Sequence, residues 1–270
     1  MIPKIFIEQW RKEAPWQTLE MIEQDLIISR ALVELYSQPR IQEGLAFRGG
    51  TALNKLFLKP PARYSEDIDF VQIKSEPIGE TLTQIRKTMD PWLGEPKRKL
   101  TERSVKLIYK YQSIDDTPRK LKLEINTTEH FSVESPVIFD YQVSSEWFNG
   151  QARITSYPLD ELMATKLRAL YQRRKGRDLF DLWHVLEKKL INPQKVLSIF
   201  EKYCTHNQEP ISRAQFEESM HFKRQHPDFK SEMGALITPE IRWDFEKADD
   251  LVTKNLIAQL SGAAWNQPKK

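Results

Sequence analysis

Two adjacent glycines, Gly49 and Gly50, lie between an apolar segment and a helical pattern, and this junction constrains the fold more than any other part of the sequence. The 270-residue chain contains nine glycines, and no other two are adjacent. Residues 45–47 before the pair are apolar, and residues 51–58 after it carry apolar side chains at helical spacing. The sequence therefore predicts a strand, a glycine turn and a short helix in immediate succession.

This junction has two interpretations. Glycines let the backbone approach a phosphate closely, Thr51 adds a hydroxyl donor, and Lys55, one helical turn further on, adds a cation. A tight turn that caps a helix uses the same residues and binds no ligand. The turn alone does not distinguish the two.

An acidic strand follows the junction. Residues 64–71 alternate, with Ser65, Asp67 and Asp69 on one face and Ile68 and Phe70 on the other. Two carboxylates on the same side of a strand repel each other unless a cation lies between them, and Mg²⁺ prefers such oxygen ligands. The alternative is an ordinary solvated strand face, because this spacing is common by chance.

A third carboxylate, Glu124, is predicted near this pair. Strands over about residues 105–111 and 121–126 are joined by a turn, and Glu124 lies on the face of the second strand that points away from the core. Asp67, Asp69 and Glu124 on one sheet face would hold one or two Mg²⁺ ions beside a nucleoside triphosphate. Exposed strand glutamates are common, so a plain surface role for Glu124 stays open.

The second half of the chain has a helical pattern. Helices are predicted over about residues 158–174, from about 177, and near 193–204, 212–222 and 239–260, whereas residues 127–150 have an irregular pattern. We therefore expect an α/β domain at residues 1–150 and an all-helical domain at residues 151–270 that completes the active site.

Lys166 is the residue in this half that packing explains least well. It falls inside the apolar stripe of its helix, four residues after Leu162 and four before Leu170. A lysine there either extends past its neighbours to solvent or points at an anionic group, and we favour a phosphate-facing role.

Asp178 and Asp181 follow a basic run, Arg173 to Arg177, at the start of the next helix. Carboxylates favour a helix N-terminus, and i,i+4 ion pairs with Arg174 and Arg177 account for them structurally. The basic run is equally suited to a triphosphate or an RNA backbone. A later basic stretch, residues 206–230, is interpreted as a solvated helical surface rather than a nucleic-acid interface.

Composition excludes several classes of protein. The lone cysteine, Cys204, excludes an internal disulfide framework and indicates a reducing compartment. No segment approaches the roughly 18 apolar residues of a membrane span. The net charge of +3 is close to balance and by itself indicates no polyanionic partner. We expect a cytoplasmic globular protein without a membrane partner.

Several motifs closely resemble the AbiEii/AbiGii nucleotidyltransferase family, which belongs to the DNA polymerase β-like superfamily and supplies the toxins of many bacterial toxin–antitoxin pairs. The motifs are Phe47-Arg48-Gly49-Gly50-Thr51-Ala52-Leu53-Asn54-Lys55, Arg63-Tyr64-Ser65-Glu66-Asp67-Ile68-Asp69-Phe70, Glu161-Leu162-Met163-Ala164-Thr165-Lys166-Leu167-Arg168-Ala169 and Arg177-Asp178-Leu179-Phe180-Asp181-Leu182. The likeness spans about residues 20–185 and includes Ile22-Glu23-Gln24-Asp25.

The resemblance implies an α+β fold with a nucleotidyltransferase-like mixed sheet and flanking helices, followed by helices. It implies that the glycine turn binds the triphosphate and that the paired aspartates hold Mg²⁺. The nucleotide-binding set is then Arg48, Gly49, Gly50, Thr51, Lys55 and Ser65. Lys166 and either Asp178 or Asp181 would complete the catalytic set, and Glu124 matches a third acidic position that varies in the family.

The expected activity is Mg²⁺-dependent transfer of a nucleoside monophosphate from an NTP to the 3′ end of tRNA, with an antitoxin encoded nearby. Two alternatives stay open. One keeps the fold and changes the acceptor to a small molecule or a protein hydroxyl. The other is a catalytically silent nucleotide- or RNA-binding module.

Overall fold

The structure, a computed structural model, describes residues 2–266, and these divide into two compact units. The first unit comprises the residues up to Phe131 together with Ser135–Tyr157. The second comprises Ser132–Glu134 and the residues from Pro158 onward. The assignment of separate functional domains to residues 1–150 and 151–270 stays a prediction.

A seven-stranded mixed sheet forms the centre of the first unit, in the order β3-β4-β5-β2-β1-β7-β6. The strands are β1 (Leu45–Arg48), β2 (Asp67–Gln72), β3 (Lys97–Leu100), β4 (Ser104–Gln112), β5 (Pro118–Asn126), β6 (Val137–Ser144) and β7 (Asn149–Ser156). Strand β2 pairs antiparallel with β1 and parallel with β5. The acidic strand is therefore central, with a neighbour on each side.

Helices accompany the sheet in the first unit. They are α1 (Lys4–Trp10), α2 (Leu19–Tyr36), α3 (Pro39–Gly44), α4 (Gly49–Ala52), a π-helical turn (Leu53–Phe57) and α5 (Gly79–Leu93). Thr18 caps α2 by accepting a hydrogen bond from the Met21 N–H at 3.4 Å. Most of α2 is buried, and its residues contact β7 and α5. The predicted succession of strand, glycine turn and helix is confirmed.

Residues 127–136 are irregular, as predicted, but the hairpin of β6 and β7 contradicts that prediction for residues 137–150. The prediction is wrong there because it passes over an alternation within β6. Phe139, Tyr141 and Val143 are more buried than the polar residues between them. Val137 and Ile138 are adjacent apolar residues, both exposed, and they interrupt this alternation at the start of the strand.

The second unit is helical. Its helices are α6 (Leu159–Gln172), α7 (Gly176–Glu187), α8 (Pro193–His206), α9 (Arg213–Arg224), α10 (Pro227–Ser231), α11 (Phe245–Asn255) and a 3₁₀ turn (Ile257–Gln259). A Cβ on Gly176 would collide with the Phe229 carbonyl, so the glycine permits close packing at the start of α7. A mixed sheet in one unit and helices in the other confirm the predicted α+β class.

The basic stretch at residues 206–230 is not a uniformly solvated surface. Lys223 is buried, and its ammonium group donates hydrogen bonds to the carbonyls of Leu170 and Tyr171 at the end of α6. Burial lowers the pKa of Lys223 to about 8. Arg224 binds Asp249, with 2.7 Å between Nε and Oδ2. These two cations therefore stabilise the helical unit.

Within residues 2–266, no helix has the length and apolar character that a membrane crossing requires.

A buried carboxylate, Asp25, joins three segments of the first unit. Its oxygens accept hydrogen bonds from the indole N–H groups of Trp10 at 2.8 Å and Trp16 at 3.1 Å. The ammonium group of Lys55 lies 2.6 Å from Oδ1 of Asp25 and 2.9 Å from the Ser29 hydroxyl. Helix α1, the following loop and the π-helical turn are thereby held on α2.

The Asp25→Asn variant should lose about 3–5 kcal/mol of unfolding free energy, because it leaves the Lys55 cation buried without a counter-charge. Urea denaturation measures the loss, and adding Lys55→Met should recover part of it. Asp250→Asn is the control: it removes an exposed pair with Lys254 at 2.7 Å that is worth less than about 1 kcal/mol. Wild-type stability of Asp25→Asn would show that this ion pair contributes nothing.

Candidate active site

The glycine turn brings the backbone directly against Asp69. Gly49 has a φ of +83°, a conformation that side-chain-bearing residues rarely adopt. A Cβ at Gly49 would lie 2.5 Å from Oδ2 of Asp69, and one at Gly50 would collide with the guanidinium of buried Arg63. Only glycine fits at this turn, because the side chains of Asp69 and Arg63 fill the space beside it.

Thr51 attaches this turn to the acidic strand. Its buried hydroxyl donates a hydrogen bond to the backbone oxygen of Asp67 at 2.5 Å and lies 2.9 Å from the Ser65 hydroxyl. Thr51 and Ser65 thus hold the start of β2 beside the turn. Their predicted contacts with a nucleotide stay a prediction.

Asp67 and Asp69 lie on one face of β2 and are half-buried. In the register of the sheet, Asp69 lies opposite Arg48 on β1 and Glu124 on β5, and Asp67 lies opposite Lys122. Burial and then the negative charge of Asp67 raise the pKa of Asp69. The pair is therefore electrostatically strained unless positive charge is close.

Lys122 supplies part of that positive charge. Its ammonium group lies 2.7 Å from Oδ2 of Asp67 and 3.4 Å from Oε2 of Glu124. Burial acts to lower the pKa of Lys122, but the carboxylates of Asp67, Asp69 and Glu124 outweigh it and raise the pKa. Sequence reasoning missed this residue, although its position two residues before Glu124 on the same strand face was a usable signal.

Glu124 is engaged by neighbours other than the aspartates. Lys106 lies 3.0 Å from its Oε1, and the Ser104 hydroxyl donates to the same oxygen at 3.1 Å. Burial acts to raise the pKa of Glu124, but Lys106, Lys122 and Ser104 outweigh it and lower the pKa. Across residues 2–266, no group of three or more His, Cys, Asp or Glu side chains is arranged to hold a metal. Asp67, Asp69 and Glu124 lie on one sheet face, as predicted, and metal binding by Glu124 stays a prediction.

The donor set of Asp67 and Asp69 nevertheless fits Mg²⁺. This ion is usually bound by one or two protein carboxylates together with substrate phosphates and water, so a third carboxylate is not required. Repulsion from Asp67 contributes to the raised pKa of Asp69, and a bound cation would relieve that repulsion. Metal binding by this pair stays a prediction.

Arg48 and Lys55 each form an ion pair within the first unit, and their predicted contacts with a nucleotide stay a prediction. Arg48 Nη1 lies 2.8 Å from Oε2 of Glu129. Burial acts to lower the pKa of Lys55, but the Asp25 carboxylate outweighs it and the pKa is raised. Lys55 and Asp25 also line a cavity of about 760 Å³.

In the second unit, Lys166 is buried and points at two carboxylates. Its Nζ lies 2.9 Å from Oδ2 of Asp181 and 3.3 Å from Oδ1 of Asp178. Arg173, rather than the expected Arg174, holds Asp178 through two hydrogen bonds of 2.6 and 2.8 Å. The anionic partners of Lys166 in this structure are thus on α7, and the catalytic roles of all three residues stay predictions.

Most of the chain matches the model of a known protein family. Residues 30–251 match the family model described as nucleotidyl transferase AbiEii toxin, type IV TA system. The comparison with curated proteins gives no match.

Solved structures share the fold. MenT4, a nucleotidyltransferase toxin from Mycobacterium tuberculosis, is 17% identical with a TM-score of 0.62, and the match covers 97% of this chain and 91% of MenT4. JHP933 from Helicobacter pylori is 18% identical with a TM-score of 0.53, and the match covers 89% of this chain and 91% of JHP933.

The Gly49→Ala variant should lose about 1–2 kcal/mol of unfolding free energy from its positive φ alone, and its Cβ should displace Asp69. Chemical denaturation measures the first effect. Gly79→Ala is the matched control, since a Cβ there meets nothing within 4 Å. Equal stability of the two variants would contradict the close approach of Gly49 to Asp69.

The Lys166→Met variant should lose about 3–5 kcal/mol of unfolding free energy, because Asp178 and Asp181 would face each other in the interior. Urea denaturation measures the loss, with exposed Lys202→Met as the control. Adding Asp181→Asn should recover part of it, and if Lys166→Met has wild-type stability, the buried cluster is not structural.

The loss of unfolding free energy in the Lys166→Met variant should depend on pH. Burial acts to raise the pKa of Asp178, but Lys166 and Arg173 outweigh it and lower the pKa. A lowered folded-state pKa gives stability that is present at neutral pH and is lost as the pH falls below about 4. The difference between wild type and Lys166→Met should therefore shrink in acid.

Proposed function

The chain belongs to the AbiEii family of nucleotidyltransferase toxins of type IV toxin–antitoxin systems, and from this premise we propose that it transfers a nucleoside monophosphate from an NTP to the 3′ end of tRNA. Asp67 and Asp69 hold Mg²⁺ in this proposal. The observation that carries it is the pair of carboxylates on one face of β2, with Asp69 against the Gly49 backbone.

The reaction is a displacement at the α-phosphorus. The acceptor 3′-hydroxyl oxygen forms a bond to this phosphorus, the bond to the β-phosphate breaks, and pyrophosphate and a proton are released. When bound, Mg²⁺ neutralises the phosphate oxygens and promotes ionisation of the attacking hydroxyl. The chain itself supplies position and charge.

Five residues of the first unit have a defined part in this proposed reaction. Asp67 and Asp69 concentrate negative charge where the cation is needed, and Gly49 leaves room beside them for a phosphate. Thr51 fixes β2 against the turn through the Asp67 backbone oxygen. Lys122, which lies 2.7 Å from Asp67, is a cation that can move from the carboxylate to a developing phosphate charge.

The acceptor is proposed to be RNA rather than a small molecule or a protein. Membership of a toxin family supports an acceptor whose modification stops growth, and the lysines around the acidic pair suit a polyanion. A pool of acceptors separates the possibilities: labelled NMP should appear on tRNA and on neither proteins nor metabolites.

Asp67→Asn and Asp69→Asn should each reduce NMP transfer at least about 10²-fold, the loss typical of removing a preorganised electrostatic contact. Transfer of label from NTP to tRNA measures it, with Asp140→Asn on exposed β6 as the control. Asp69→Asn should also unfold at an equal or higher urea concentration than wild type, because ionised Asp69 is unfavourable beside Asp67.

Undiminished transfer by both variants would overturn the site. If the wild-type protein binds nucleotide but transfers no NMP in assays that supply divalent metal ions, a catalytically silent binding module is favoured instead.

A further inference from the structure

The sheet face that carries Asp67 and Asp69 continues as a row of lysines across three strands. Residues that pair directly on neighbouring strands lie on the same side of a sheet. Asp67 pairs with Lys122, Lys122 with Ile108, and Ile108 with Lys97. The same alternation gives the other members of what we call the lysine face: Lys97, Lys99, Lys106, Lys110, Lys120 and Lys122.

Two pairs of lysines on this face lie directly opposite each other. Lys99 pairs with Lys106, and Lys110 pairs with Lys120. Like charges at directly opposed positions destabilise a sheet. Lys106 is compensated by Glu124 at 3.0 Å. Lys110 and Lys120 are exposed and, within residues 2–266, form no ion pair. The sheet therefore retains an unfavourable pair that its own carboxylates do not relieve.

Protection of the sheet edge accounts for only part of this pattern. Charged residues on an edge strand prevent pairing with other chains, which explains Lys97 and Lys99 on β3 at the end of the sheet. It does not explain Lys110 and Lys120, which lie opposite each other on β4 and β5. A polyanionic ligand explains both sets at once.

We propose that the lysine face binds the phosphate backbone of the acceptor RNA and guides its 3′ end to Asp67 and Asp69. This inference rests on the proposed function. Three strand spacings separate β2 from β3, roughly 14 Å, so the face spans several phosphates. Lysines are point charges that suit a phosphate backbone without reading its sequence. Continuity with the acidic pair favours RNA over an acidic protein, because the end of a strand bound here reaches the proposed site of chemistry.

The test compares binding of tRNA to wild type, the Lys110→Gln/Lys120→Gln variant and a matched control, Lys74→Gln/Lys87→Gln. The control removes two exposed lysines that lie outside the face and form no ion pair within residues 2–266. The slope of log K for tRNA binding against log salt concentration should become shallower by about 1.4, because two phosphate contacts are lost. Relative to 1 M salt, this change weakens binding about 25-fold at 0.1 M salt. The control should bind like wild type, and the KM for NTP should be unchanged in both.

A second readout is stability. Lys110→Gln/Lys120→Gln should unfold at the same or a higher urea concentration than wild type, because it removes a repulsive pair. Destabilisation would show that the lysines serve the fold and would overturn the inference.

The remaining outcomes separate this inference from the proposed function. If wild type labels tRNA and the double variant binds it with unchanged affinity and salt slope, the lysine face is wrong and the proposed function stands. If wild type neither binds nor labels RNA, the RNA acceptor itself is wrong. If only the binding of poly-glutamate is lost in the double variant, the face binds an acidic protein and the inference fails.

Discussion

The register of β2 between β1 and β5 determines which side chains surround the acidic pair. It places Asp69 opposite Arg48 and Glu124, and Asp67 opposite Lys122. A shift of one residue would move both aspartates to the core face and bring Ile68 and Phe70 to the other. The buried side chains of Ile68 and Phe70 therefore fix the register that the acidic pair requires.

Charges in the protein serve two different purposes. Lys55 with Asp25, and Lys166 with Asp178 and Asp181, are largely buried and mutually compensated, so they specify how helices and turns pack. Asp67 with Asp69, and Lys110 with Lys120, are like-charged neighbours on one sheet face. Such pairs cost stability in the folded chain, and ligands of opposite charge would relieve them. The contrast identifies where a cation and a polyanion are expected.

The sequence predicted the features that depend on local patterns and missed those that depend on tertiary contacts. Alternation on both faces of residues 64–71 gave the strand and its acidic side, and Lys166 stood out because a cation interrupts an apolar stripe. Its carboxylate partners could not be chosen, since Asp178 and Asp181 belong to another helix. The Asp25–Lys55 pair joins residues 30 positions apart. Strand β6 alternates over residues 139–144, but the adjacent apolar residues Val137 and Ile138 obscure this pattern. The sequence places Lys122 on the strand face of Glu124, but only the pairing of β2 with β5 places it beside Asp67.

The most direct test is a crystal structure of the protein with Mg²⁺ and a non-hydrolysable nucleoside triphosphate. The ion should be bound by oxygens of Asp67 and Asp69, and the triphosphate should lie against Gly49 and Gly50. A triphosphate bound away from Gly49 and Gly50, or an ion bound without either aspartate, would be the opposite result.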